Sequence, residues 1–245
     1  MKTIGVIPAR YASSRLPGKP LLLIKGMSMI QRVYEQSEKS KFINKVIVAT
    51  DDKRIFNCVK NFGGEVVMTS TKHQSGTDRI YEAIKDVKCD VVVNIQGDEP
   101  YIDPKNIDSA VKPLIDDKSI NVSTLAIRIK EISDLLDENK VKVVLDRNNF
   151  AMYFSRSYIP YDMKHNPFQK WALKNNKYYK HIGLYVFRKE YMAKFNKMKK
   201  CYLENMEKLE QLRILENGGN IKVVITKKDS YSIDTKFDLD FINKL

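Results

Sequence analysis

Three cations stand close together near the start of the chain. They are Arg10, Arg15 and Lys19, in the stretch Ile7-Pro8-Ala9-Arg10-Tyr11-Ala12-Ser13-Ser14-Arg15-Leu16-Pro17-Gly18-Lys19-Pro20. Guanidinium groups grip two oxygens at once and an ammonium neutralises one locally, so a stiff loop carrying both suits a polyphosphate. Pro8, Pro17 and Pro20 argue against regular structure here, since each removes a donor and restricts the residue before it. A solvated basic loop has the same composition, and the stretch gains meaning only beside the acids that follow. Gly97-Asp98-Glu99-Pro100 comes directly after the apolar run Asp90–Gln96. Two carboxylates next to those cations would be odd in a plain anion trap. They make sense if a divalent cation shares the site, because hard carboxylate oxygens bind magnesium together with phosphate oxygens. Taken alone, the four residues also read as a surface acidic turn.

The elements that must position these groups alternate. Ile4–Ile7 reads as a buried strand and Ser28–Glu38 as an amphipathic helix. Lys45–Thr50 is a second strand, followed by a helix from Asp52, its cap, to Phe62, stopped by Gly63-Gly64. Glu65–Met68 is a short strand, and Ser75-Gly76-Thr77-Asp78-Arg79 opens a helix to about Asp86. Asp90–Gln96 is apolar enough for the centre of a covered parallel sheet. This order predicts an α/β fold, a mostly parallel central sheet with helices on both faces and right-handed crossovers. Ligands in such sheets sit at the carboxyl edge of the strands. That edge carries the opening loop, the Ser75-Gly76 turn and the residues after Gln96.

The second half continues with a helix over Pro104–Asp116 and strands over Val122–Ile127 and Val141–Asp146. Asn148-Asn149 is a turn, and Ala151–Phe154 leads into Ser155-Arg156-Ser157-Tyr158-Ile159-Pro160. Tyr161–Lys180, polar and holding the sole Trp171, reads as a long mobile or partner-contacting segment. His181–Phe187 resumes strand character, with His181 by itself best read as a structural histidine. A long helix is expected over Leu203–Glu216, with Leu203, Met206, Leu209 and Leu212 as its apolar stripe and Gly218 as its stop. Glu207, Glu210 and Gln211 fall on its flanks. A strand over Ile221–Ile225 and a short closing helix, capped by Asp234 or Thr235, complete the chain.

Length and composition fit one soluble domain, 1–245, of 43% apolar and 30% charged residues. The net charge of +13 invites a nucleic-acid reading. Most of the excess is lysine scattered along the chain, and a lysine-rich solvated surface explains it equally well. Cys58, Cys89 and Cys201 lie far apart and suit neither a disulfide framework nor a zinc knuckle. No apolar run approaches the roughly 20 residues of a membrane helix. The amino terminus enters a strand at once, so a cytoplasmic protein without membrane insertion is expected.

The segments IPARYASSRLPGKPL, VIVATDD, GGEVVMTSTKHQSGTDRI, VVNIQGDEP, VKVVLD, YFSRSYIP, HIGLYVFR, LEKLEQLRILENG and IDTKFDLD together carry a resemblance. In that order the chain resembles the 3-deoxy-manno-octulosonate (Kdo) cytidylyltransferases over nearly its full length. The opening loop alone also suits other sugar cytidylyltransferases; HQSGTDRI, QGDEP, FSR-x-x-IP and LEQLR are more specific.

The resemblance implies a nucleotide-diphospho-sugar transferase-like, Rossmann-like fold. Residues 1–128 would mainly bind CTP, and 150–216 would form a smaller sugar-binding and dimer-contact part. CTP and Kdo would give CMP-Kdo and pyrophosphate, for lipopolysaccharide or capsule biosynthesis. Arg10, Arg15 and Lys19 would neutralise the triphosphate, with Lys19 nearest the reacting phosphorus. The backbone around Ala9 and Ser13, the Ser75-Gly76 turn and Gln96 would hold cytosine and ribose. Asp98 and Asp234 would bind Mg2+, the cofactor. Arg79, Arg156, His181, Tyr185, Glu210 and Gln211 match positions that face the sugar, Arg156 or Arg79 pairing with its carboxylate. A homodimer is expected, and nucleic acid is not a partner. A cytidylyltransferase for 8-amino-Kdo or another keto sugar acid is the near alternative. A non-catalytic nucleotide- or nucleic-acid-binding protein is the distant one.

Overall fold

A computed structural model describes residues 1–12, 16–73, 75–163, 177–233 and 235–244. Its first strand, β1 (Thr3–Ala9), pairs in parallel with β4 (Lys45–Thr50) on one side and β6 (Val91–Asn94) on the other. Between them come the hairpin β2 (Leu23–Ile24) and β3 (Met27–Ser28), then α1 (Met29–Glu38), α2 (Lys53–Asn61), β5 (Val66–Met68) and α3 (Gly76–Ile84). After β6 follow α4 (Pro104–Asp116), β7 (Val122–Arg128), α5 (Ile132–Leu136), β8 (Lys142–Leu145), β9 (Ala151–Ser155) and β10 (Tyr179–Arg188). The chain closes with α6 (Lys189–Lys197), α7 (Tyr202–Glu207), α8 (Leu212–Glu216), β11 (Lys222–Thr226) and α9 (Lys236–Lys244).

The main path of the sheet is β11-β7-β10-β6-β1-β4-β5, with β8 and β9 branching from β10. Only β10 on that path runs against its neighbours, so the sheet is mostly parallel. The period of two along each strand divides the core between two faces. Ile7, Val48 and Val93 pack under α1, α2 and α4 on one face; Ile4, Ile47 and Val92 face α3, α6 and α8 on the other. Capping follows the sequence: Ser28, Asp52, Ser75 and Asp103 accept backbone N–H groups at the starts of α1, α2, α3 and α4. Thr235 caps α9 through a reciprocal box with Asp238. Among the described residues no helix is long and apolar enough to cross a membrane.

Four expectations need correction. Pro8 lies inside β1, because its ring replaces a donor on the side where β6 has already ended. The polar segment does not extend to Lys180: Tyr178 is buried, and Tyr179 and Lys180 pair with β8. Residues 164–176, Trp171 included, lie outside the described residues. The helix over Leu203–Glu216 is two helices, broken at Lys208 in the left-handed region (φ 55°). The break has a physical reason. Glu204 and Arg213 are nine positions apart, which puts them on opposite sides of a continuous helix. The kink lets them form a buried ion pair with two hydrogen bonds, at 2.5 and 2.7 Å. It also turns Met206 out to solvent while Leu209 and Leu212 stay in the core. Finally, β2–β3, α5 and α6 are elements that the sequence reading did not anticipate.

Candidate active site

Three loops converge at the carboxyl ends of β1 and β6. The loop after β1 is pinned at its base where Gly18 N–H donates to the Tyr11 carbonyl at 2.9 Å. Lys19 then starts a 3-10 turn, and its Nζ meets Asp98 Oδ2 at 2.7 Å. Their side chains are 12% and 30% exposed, so the pair stands at the rim rather than in the core. At the end of β1, Ala9 is buried and Arg10, the next residue, is exposed. The turn after β6 comes so near β1 that a Cβ on Gly97 would lie 3.1 Å from the Pro8 carbonyl oxygen. A Cβ on Gly76, at the start of α3, would lie 3.3 Å from the Pro8 ring, and Ser75 caps that helix. Small residues thus let three backbones meet at Pro8. Ser13, Arg15 and Asp234, expected here from the sequence, lie outside the described residues. Ile233, the residue before Asp234, donates its N–H to the Asp98 carbonyl at 2.9 Å.

Next to this rim is a cavity of about 100 Å³, bordered by Thr77, Asn94, Gln96, Tyr185, Glu210 and Gln211 over an aromatic floor of Phe187 and Phe195. Glu210 Oε2 accepts from the Thr77 hydroxyl at 2.7 Å. Its Oε1 is buried and 3.6 Å from Arg213, beyond a hydrogen bond. Burial pushes the Glu210 carboxyl up from its ordinary range, although Thr77 and Arg213 oppose the shift. The Tyr185 hydroxyl is likewise buried without a hydrogen-bond partner among the described residues, and burial raises its pKa. Buried polar atoms in native structures are normally paired, with protein, ligand or ordered water, so two open ones bordering one cavity make it a place for a polar ligand or water.

A bulge in β10 shapes the cavity wall. Its pairing with β7 slips between Ile182 and Tyr185, and the released Gly183 carbonyl accepts from Gln96 Nε2 at 3.2 Å. Thr124 Oγ1 donates to the Leu184 carbonyl at 2.7 Å and lies 3.0 Å from His181 Nε2. With that hydroxyl proton committed, the bonding pattern assigns the imidazole proton to Nε2 and leaves Nδ1 as an acceptor. Burial lowers the His181 pKa to about 3, so the ring is neutral near pH 7. It rests edge-on against Phe154 and 5.2 Å from the Tyr185 ring.

Two expected sugar contacts are held elsewhere. Arg79 is 2% exposed and donates to Asp51 Oδ2 at 2.6 Å and Thr69 Oγ1 at 2.5 Å. The sequence expectation pairs Arg156 or Arg79 with the sugar carboxylate; here the Arg79 guanidinium is a buried tie between α3 and the end of β4. Arg156, outside the cavity lining, donates Nε to the Glu207 carbonyl at 2.8 Å and Nη1 to the Glu138 carbonyl at 3.0 Å. Glu207, set aside in the sequence reading, accepts from Ser155 Oγ and the Arg156 N–H. Asn94 and Thr77 were missed as well. Asn94 had a signal, as a polar residue inside an otherwise apolar strand.

Magnesium takes few protein carboxylates and completes its shell with water and phosphate oxygens. Asp98, partly exposed and beside a lysine, fits such a role. No group of three or more potential metal ligands occurs among the described residues.

Residues 4–228 match a family model described as Cytidylyltransferase. A 3-deoxy-manno-octulosonate cytidylyltransferase from Geotalea daltonii is 49% identical over 243 residues, 98% of this chain and 96% of that protein. The protein of the same name from Parabacteroides distasonis is 49% identical over 246 residues, 98% of this chain and 96% of its own. Among solved structures, CMP:2-keto-3-deoxy-manno-octonic acid synthetase complexed with CTP superposes with a TM-score of 0.92 at 38% identity, covering 100% of this chain and 98% of that one. 4-Diphosphocytidyl-2C-methyl-D-erythritol synthase from Anaerococcus prevotii, 16% identical with a TM-score of 0.63 over 99% of this chain and 97% of that one, shares the fold.

Proposed function

Since the chain belongs to the 3-deoxy-manno-octulosonate cytidylyltransferases, we propose that its rim and cavity divide one reaction between them. The protein activates Kdo with CTP, giving CMP-Kdo and pyrophosphate. The anomeric oxygen of the sugar forms the new bond to the α-phosphorus, the bond to the β-phosphate oxygen breaks, and pyrophosphate leaves in line. The hydroxyl proton passes to solvent. Such a transfer asks the protein mainly for placement and charge stabilisation.

At the rim, Arg10 and Lys19 neutralise the triphosphate, joined by Arg15 on family likeness. Lys19 changes partner from Asp98 to phosphate oxygen as CTP arrives. Ala9, Ser13, Ser75, Gly76 and Gln96 hold the nucleoside. In the cavity, Glu210 Oε1 accepts a sugar hydroxyl, the Tyr185 hydroxyl and His181 Nδ1 supply further polar contacts, and Gln211 completes the wall. Arg156 remains the candidate for the sugar carboxylate. Mg2+ held by Asp98, with Asp234 by family likeness, would draw charge from the phosphates and make the sugar hydroxyl more acidic. A homodimer working in the cytoplasm, feeding lipopolysaccharide or capsule synthesis, completes the reading.

The observation that carries it is the juxtaposition of the Lys19–Asp98 pair with a cavity that holds two buried, open polar atoms. The test compares CTP-dependent pyrophosphate release with Kdo, 8-amino-Kdo and N-acetylneuraminate, with and without chelator. Preference for Kdo and loss of turnover in chelator are expected. Preference for another sugar overturns the substrate, and full turnover in chelator overturns the metal.

A further inference from the structure

The segment from β11 to α9 is laced to the segment after β6 at four successive places. Thr226 Oγ1 donates to Asn106 Oδ1 at 2.6 Å, and Asn106 Nδ2 donates to the Lys228 carbonyl at 3.0 Å. Lys228 pairs with Asp103. Ser230 Oγ donates to Glu99 Oε2, and Ile233 N–H donates to the Asp98 carbonyl. The lacing advances residue by residue toward the rim. Among the side chains it uses after β6, Asn106 and Glu99 are buried, 2% and 6% exposed, and of the two only Glu99 carries an ionisable group.

Burying a carboxyl is costly unless its partners compensate, and a neutral side chain would fill the same space without that cost. Glu99 makes no contact with the cavity described above. Its side-chain hydrogen bond is with Ser230, in the stretch where Asp229 pairs with Lys180 of β10 at 2.7 Å. We infer that Glu99 is a positioning residue: by gripping Ser230 it seats the segment ending at Ile233 against Asp98 and fixes how the Asp98 carboxylate faces the phosphates and their cation. This rests on the proposed reading of Asp98 as a metal ligand. Groups that orient a ligand from behind typically alter metal affinity by about 10–100-fold when removed.

The experiment measures Mn2+ binding to the full chain with CTP by electron spin resonance, together with kcat, the KM values and thermal melting. The variants are Glu99→Ala, Glu99→Gln, Ser230→Ala and Asp98→Asn. Glu99→Ala is expected to weaken Mn2+ about tenfold and to lower kcat while the KM for Kdo stays unchanged. Glu99→Gln, whose amide oxygen can still accept from Ser230, restores most of both. Ser230→Ala gives a smaller loss in the same direction, and it decides the matter if Glu99→Ala does not fold. Unchanged Mn2+ affinity in Ser230→Ala and in folded Glu99→Ala overturns the inference, as does an equal loss in the Gln and Ala variants. Asp98→Asn separates the two levels. If it retains Mn2+ affinity, the metal reading and this inference fall together. If it loses affinity while the Glu99 variants do not, this inference alone falls.

Discussion

The rim and the cavity follow opposite electrostatic plans. At the rim, Lys19 and Asp98 are part-exposed and already paired, so each charge has a partner to exchange. In the cavity, Glu210 Oε1 and the Tyr185 hydroxyl are buried and open. A highly charged ligand can be accepted at the rim by swapping ion pairs, at little net cost in water and with sensitivity to salt. A neutral hydroxyl gains little from a rim of that kind. It gains much more where a buried acceptor is otherwise unsatisfied, since ligands that leave the acceptor open suffer its full desolvation cost. On the proposed assignment of the rim to the nucleotide and the cavity to the sugar, the first reads charge and the second reads hydroxyl positions.

The sharpest way to break this contrast is at the rim. Asp98→Asn and Lys19→Ala should each lower kcat by about 10³-fold, the scale of a lost charge-stabilising group. If Lys19→Ala weakens only the CTP dissociation constant, measured by titration calorimetry, the rim is a simple anion trap. Arg79→Met tests the boundary between site and scaffold. It leaves Asp51 without its buried partner and should cost about 3 kcal/mol in urea unfolding, with the KM for Kdo unchanged in the folded fraction. A raised KM without loss of stability would return Arg79 to the sugar site.

In the cavity, Glu210→Ala should raise the KM for Kdo by about 10–100-fold with kcat nearly kept. A fall in kcat at constant KM would show that Glu210 acts on the reaction rather than on the ground-state sugar. The smallest effect is on pH-dependent stability, measured in chelator. Burial pushes Glu99 up to about 7, so the folded state holds a proton that the unfolded state releases above about pH 4.5. Its contribution is present below pH 4.5 and is lost as pH rises through 7. His181, pushed down to about 3, acts in the other sense: its contribution is present above pH 6.5 and is lost as pH falls. Glu99→Gln should therefore remove one of two opposed slopes, so that its Tm rises relative to that of the wild type between pH 4.5 and pH 7.5. Parallel wild-type and variant curves would rule out burial of the neutral acid.

Much of the parallel sheet was readable because its strands are apolar and its helices carry their own caps. Lys45–Thr50 and Pro104–Asp116 coincide with β4 and α4 to the residue. The kink at Lys208 was not readable, since the stripe Leu203–Leu212 has helical spacing and the break depends on a tertiary pair, Glu204 with Arg213. Nor was the fate of Arg79: its partner Asp51 is 28 positions away, and nothing local separates a buried tie from a ligand contact. The open state of Glu210 Oε1 likewise depends on Arg213 stopping 3.6 Å short. Motif order identified the chemistry, whereas the division of labour among charged residues is a property of packing.

The tie between Glu99 and Ser230 spans 131 positions of chain. A contact so distant along the polypeptide forms only after a large loop has closed, at an entropic cost that local contacts escape. During synthesis from the amino end, β1, β4, β5 and β6 can assemble well before residue 230 has left the ribosome. Such a nascent chain would present the cationic loop and Asp98 without the segment that seats them. Competence for turnover should accordingly arise late in biosynthesis, and chains released before Ser230 should carry folded structure but no activity.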